Sequence, residues 1–155
     1  MTVQRIVDAD AHPPFEAMEI PNVGLMTRET FFSRMRRLGA HAVCGTLTPP
    51  AAWQDSPPED APERINAEAL RLAERYPEYV PAAWVHPACP ESSLRQMEQC
   101  AARGVKLAGE FCPEWLEGGF REPALRILEL AAKLGMAVSL RSRRPPRRRL
   151  CRSRT

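Results

Sequence analysis

Short β-branched runs alternate along this chain with longer stretches whose apolar residues recur at helical spacing. Residues 5–9 predict a strand. It is closed by the polar cluster Asp8, Asp10 and His12 and by Pro13-Pro14, which cannot donate to a ladder. A loop is expected as far as Met26. Thr27 is placed to cap a helix over 27–38 that buries Phe31, Phe32, Met35 and Leu38, with Gly39 as a left-handed stop. A second strand is expected at 41–46, and a proline- and acid-rich loop at 47–60. Asp60, Pro62 and Glu63 then spell a helix start, and Ile65, Ala69, Leu72 and Tyr76 form the stripe that ends at Pro77. The pattern continues with a strand at 79–85, a helix at 91–103 on Leu94, Met97 and Ala101, and a strand at 104–108. A loop at 109–120 follows, then a helix at 122–134 on Leu125, Leu128 and Ala132, and a strand at 136–140.

Strands that each give way to a helix predict parallel strands joined by crossover helices. The expected class is α/β: about five parallel strands, as an open doubly wound sheet or as part of a (β/α)8 TIM barrel. No Gly-x-Gly-x-x-Gly follows the first strand, which counts against dinucleotide binding.

Composition changes the picture at one place. Of the 22 Lys and Arg residues, eight are arginines between 141 and 155, a stretch with no acid. The formal charge of +3 therefore hides a body, residues 1–140, with 14 bases against 19 acids and a balance of −5. Such a body gives electrostatics no reason to draw in nucleic acid. Two regions are expected: a folded 1–140 and a basic, disordered tail at 141–155. Five cysteines, at 44, 89, 100, 112 and 151, form no Cys-x-x-Cys pair, so neither a disulfide framework nor a zinc ribbon is indicated. With no apolar run long enough to span a membrane and no secretory leader pattern, a cytoplasmic protein is expected.

Alternation along a strand puts Asp8, Asp10 and His12 on one face, at the strand end where parallel α/β scaffolds build sites. A carboxylate and an imidazole two residues apart can both reach one divalent ion; a polar strand end with a capping acid is the plainer reading.

These residues also carry a resemblance. The stretch IVDADAHPPF resembles the opening of the amidohydrolase-related family (the amidohydrolase 2 branch), whose first strand ends in an Asp, a small residue and His-x-His. Asp8-Ala9 matches the start, His12 matches the second histidine, and Asp10 replaces the first. The run NAEALRLAERYPEYVPAAWVHPACPESSLRQMEQCAARGVKLAGEF is similar to the family's middle section, and LELAAKLGMAVSL to the helix and fifth strand that follow. The likeness covers residues 4–140.

The resemblance implies a metal-dependent hydrolase or decarboxylase barrel. It would cleave a C–N or C–O bond, or remove a carboxylate, on a small carboxylated molecule. Asp10 and His12 would hold a divalent metal, zinc first. His86, ending the third strand, could face the substrate, with a solvated or structural strand-end histidine as the plainer reading; Lys106, on the fourth, could bind an anionic substrate group or be a buried stem paired with an acid; Glu110 is a weaker candidate, as a loop acid. Trp53, Trp84 and Trp115 read as packing or pocket wall, and Cys44 and Cys112 lack an evident base. The family's next metal histidine falls where this chain has Arg141, which has no lone pair to donate. Its strand-eight aspartate falls beyond residue 155. The expectation is therefore a truncated barrel, inactive by itself, with the reading frame altered after Leu140. Two alternatives stand beside it: a non-catalytic module that self-associates, and a nucleic-acid binder acting through its arginine-rich tail.

Overall fold

The computed structural model describes residues 6–53 and 56–141. The tail expected at 141–155 lies outside the described residues except for Arg141. Five strands form one all-parallel sheet, curled as half a barrel, in the order β1 (Ile6–Asp8), β4 (Ala40–Gly45), β5 (Tyr79–Ala83), β6 (Leu107–Phe111) and β7 (Ala137–Leu140). Helices α1 (Arg28–Arg37), α2 (Ala61–Arg75), α3 (Pro90–Ala102) and α4 (Arg121–Lys133) connect them. This is a partial α/β barrel, one of the two arrangements that the strand–helix alternation leaves open.

Two buried clusters join helices to sheet. Phe32, Val43, Leu47, Ile65, Leu72 and Tyr79 lie in one, under α1 and α2. Val85, Met97, Ala108, Phe111, Ile127 and Met136 lie in the other, under α3 and α4. Phe32 is fully buried and stacks on Tyr76 at a 4.0 Å centroid distance, which fastens α1 to the end of α2. Helix α1 starts as its sequence dictates: the Thr27 hydroxyl accepts from the Thr30 N–H, and the Thr30 hydroxyl accepts in return from the Thr27 N–H. Gly39 takes φ +78°, the left-handed stop expected of it.

The third strand expected, β5, ends at Ala83, ahead of His86, and four further details differ from the sequence reading. The segment before Met26 is not all loop. Strands β2 (Met18–Ile20) and β3 (Gly24–Met26) make a small antiparallel hairpin, with Asn22 in the turn at φ 64°. Three-residue strands are too short to leave a readable alternation. Leu38 is 70% exposed because it caps α1 beyond the packed face. The buried stripe of α4 is Ala124, Ile127 and Ala131, one position N-terminal to the stripe expected, and Leu125 faces out. Two alanines on that stripe let α4 lie close against α3 and the sheet, a packing preference that apolar spacing does not encode.

The fourth difference matters most. Strand β6 runs from Leu107 to Phe111, three residues later than predicted. Gly104 and Val105 are held by the end of α3, where their N–H groups donate to the Ala101 and Cys100 carbonyls, and Gly104 sits at φ +87°. The strand begins only when that helix exit is complete. Glu110 is thereby moved from the expected loop into the C-terminal end of the strand.

Candidate metal centre

The segment after β1 is shaped by its neighbour β4. Strand pairing stops at Asp8, whose side-chain oxygen Oδ1 accepts from the Asp10 N–H at 3.2 Å. Backbone bonding resumes beyond this bend. The Ala11 N–H donates to the Cys44 carbonyl at 3.0 Å, the Thr48 N–H to the Pro13 carbonyl at 2.8 Å, and the Phe15 N–H to the Thr48 carbonyl at 3.0 Å. Close approach here depends on Gly45, at φ +152°: a Cβ at this position would lie 2.2 Å from the Ala11 carbonyl oxygen. Arg28 secures the far side, donating to the Pro14 and Phe15 carbonyls and pairing with Glu68. His12 is thus held between two fixed backbone stretches.

Its ring orientation is fixed as well. Nδ1 lies 3.1 Å from the Thr46 carbonyl and 3.2 Å from the Thr46 hydroxyl oxygen. A carbonyl only accepts, so Nδ1 carries the proton and Nε2 presents its lone pair. Nε2 faces Asp10 Oδ1 at 3.4 Å and Glu110 Oε1 at 3.9 Å. One ligand atom from each of Asp10, His12 and Glu110 lies within 4.8 Å of the others, a cluster that could hold a metal ion. Metal–ligand bonds of about 2.0–2.2 Å set donors roughly 3.3–3.6 Å apart in a tetrahedron. The Asp10–His12 pair already has that spacing at 3.4 Å, whereas Glu110 must draw inward before all three could share one ion. The donor set, two carboxylates and one oriented imidazole, is chemistry that zinc and similar ions accept.

Asp10 is 66% exposed, His12 29% and Glu110 22%, so the site grades from open solvent into the protein. A cavity of about 190 Å³ continues inward from it, walled by Trp84, His86, Cys112, Trp115, Leu47 and Pro49. His86 is buried, with its ring 5.8 Å from Trp84 and 5.1 Å from Trp115. Its Nδ1 accepts from the Ala88 N–H at 3.1 Å, which places the proton of the neutral ring on Nε2. The Ser93 hydroxyl accepts from the His86 N–H and donates to the His86 carbonyl, both at 3.0 Å. Asn66 clamps both backbone groups of Trp84 just ahead of it. The cavity wall is therefore built on satisfied backbone.

The structure brings His12, His86 and Glu110 into the lining of this cavity, with Asp10 outside it beside His12 Nε2. It leaves out two residues of the sequence reading. Asp8 is turned to the Asp10 N–H. Lys106 precedes β6 at the opposite end of the sheet, exposed beside Arg103, Gly104 and Val80. That correction has the same cause as the gain of Glu110: β6 starts three residues later, so Lys106 falls before the strand.

Arg141 stands where the resemblance would put a metal histidine. It follows β7 directly, its N–H donating to the Phe111 carbonyl at 2.9 Å, and it lines the cavity with Nη1 3.8 Å from Glu110 Oε2. Trp84 and Trp115 are pocket wall as expected, while Trp53 packs on Phe15 and under Arg64. The Cys44 thiol is pushed up by burial and by the nearby Asp8 carboxylate, which opposes a nucleophilic role. Among the described residues no helix is long and apolar enough to cross a membrane.

Compared with protein-family models, curated proteins and solved structures, the chain finds no match. The class defined by its own residues is a parallel α/β half-barrel with an Asp–His–Glu cluster at one strand end.

Proposed function

We propose that Asp10, His12 and Glu110 hold a divalent metal, zinc first, at a site of the type used by metal-dependent hydrolases and decarboxylases. The resemblance of the sequence to the amidohydrolase-related family points the same way. The observation that carries this reading is the His12 ring: its Nδ1 proton is committed to the Thr46 carbonyl while Nε2 faces two carboxylates. A bound metal would lower the pKa of a coordinated water or polarise a substrate carbonyl or carboxylate. The chain's own groups would do the rest. The Trp84, His86 and Trp115 wall would orient a small substrate and exclude bulk water, and the three ligands would leave a coordination position open toward it. The substrate class proposed is a small carboxylated molecule.

Metal content decides the matter without reference to turnover. Titration of zinc into the chelator-treated chain is expected to saturate at one ion per chain. His12→Ala should abolish that binding, and Asp10→Ala or Glu110→Ala should weaken it at least tenfold, in the range seen for lost coordination support. Stoichiometric binding that survives His12→Ala would overturn the site.

A second reading, self-association, has its own observation. Among the described residues, β1 and β7 each pair on one side only, and Ile6, Val7 and Leu140 there are 48%, 56% and 63% exposed. A second copy of the chain would cover them. Light scattering on the full chain tests this, and a monomer at all concentrations would dismiss it.

A further inference from the structure

We infer that Arg141 is the anion anchor of the cavity, gripping the carboxylate of a small ligand beside the metal position. The inference deepens the metal reading above and rests on it, since the charge of the ion is what makes the site receptive to an anion. Arg141 is fixed by its backbone, which extends β7 by one bond to the Phe111 carbonyl at 2.9 Å. Its guanidinium lies 3.8 Å from Glu110 Oε2, beyond hydrogen-bond length, and among the described residues no hydrogen bond engages its fork of donors. Glu110 meanwhile turns its other oxygen, Oε1, to His12 Nε2 at 3.9 Å. One carboxylate thus stands between the metal position and the guanidinium, and a ligand reaching one is close to the other.

Charge decides what that ligand is. With His12 neutral, Asp10, Glu110 and Arg141 sum to −1; a divalent ion turns this to +1, and a monocarboxylate brings it to zero. A carboxylate also matches the guanidinium fork in a bidentate pair, and its single charge is the one that neutralises the site. Size sets the other limit. At about 190 Å³ the cavity falls below the roughly 300–1,000 Å³ of sites for drug-sized ligands, and Trp84 and Trp115 offer flat apolar walls. A small, flat monocarboxylic acid satisfies all three conditions. The anionic group that the sequence assigned to Lys106 is met instead by Arg141.

The test is calorimetric titration of benzoate, with benzamide as neutral isostere, into the full chain free of metal and loaded with zinc. Benzoate should bind and benzamide should not. Zinc should tighten benzoate on the order of tenfold, and benzoate should tighten zinc by the same factor. Arg141→Gln should weaken benzoate about tenfold or more while its melting temperature and zinc affinity stay near wild type, and Arg141→Lys should recover only part. Benzoate affinity unchanged in Arg141→Gln would overturn the anchor, as would equal binding of benzamide. Inorganic phosphate binding as tightly as benzoate would overturn the carboxylate assignment. The two failures are distinguishable. Arg141-dependent benzoate binding without zinc binding sinks the metal centre and the charge balance that rests on it, and leaves the Arg141 contact standing. Zinc binding with benzoate indifferent to Arg141 sinks the anchor alone.

Discussion

Replacing Asn66 with alanine should cost this fold about 3–5 kcal/mol, and the reason lies at the end of β5. Ladder pairing between β5 and β6 stops at Ala83, so the backbone of Trp84 has no strand partner. Asn66, 1% exposed on α2, supplies both missing bonds: its Oδ1 accepts from the Trp84 N–H at 2.7 Å, and its Nδ2 donates to the Trp84 carbonyl at 3.0 Å. Asn66→Ala strands a buried donor and a buried acceptor at about 1–3 kcal/mol each, and the small void left behind adds to that. Urea unfolding followed by tryptophan fluorescence measures the effect, with the slope against urea required to match wild type so that the midpoint shift reads as stability. Asn66→Asp separates hydrogen bonding from packing. It keeps the volume and the acceptor but turns a carboxylate oxygen on the Trp84 carbonyl, so at neutral pH it should be as harmful as alanine. Lowering the pH protonates that buried carboxyl, restores a donor, and should narrow the deficit relative to wild type. A loss under about 1 kcal/mol for Asn66→Ala, or an Asn66→Asp deficit that does not narrow in acid, would refute the clamp.

Other outcomes follow from single contacts. Gly45→Ala places a Cβ 2.2 Å from the Ala11 carbonyl oxygen, so the His12 segment must move; zinc affinity should fall at least tenfold even where circular dichroism stays native-like. Phe32→Ala empties a fully buried site stacked on Tyr76 and should cost about 3–5 kcal/mol in urea unfolding. Burial pushes the Cys100 thiol up to about 11 from an ordinary 9.0, and Cys44, Cys89 and Tyr79 are raised by burial as well. The folded chain therefore keeps protons that the unfolded chain releases. Stability should be full below about pH 8.5 and fall as pH rises toward 11, by about 1 kcal/mol per unit from Cys100. Urea midpoints at pH 8 and pH 10 that coincide would contradict this.

How much of the site could be read in advance differs residue by residue. Asp10 and His12 were legible because they are neighbours in sequence and close a strand whose end the prolines mark. His86 was legible for the same reason, at a strand end before Pro87. The place of Glu110 depends on where β6 begins, and that is set by how α3 ends, through the Gly104 and Val105 N–H bonds to helix carbonyls. The same shift places Lys106 before the strand, away from His12. Arg141 was read as a missing histidine because a ligand list asks only for lone pairs. Its use as a cation beside Glu110 is visible only once β6 and β7 are side by side.

The sequence by itself determined the alternation of strands and helices, the acidic character of residues 1–140, and the Asp10–His12 pair. Each of these depends on periodicity or on residues a few positions apart, and short-range patterns survive in one dimension. Only the tertiary structure decided that Glu110 lies between His12 and Arg141, that Lys106 stands at the opposite end, and that α4 buries Ala124 and Ile127 while Leu125 faces out. Those outcomes depend on strand register and on which neighbour packs closest, and both arise from contacts between segments far apart along the chain.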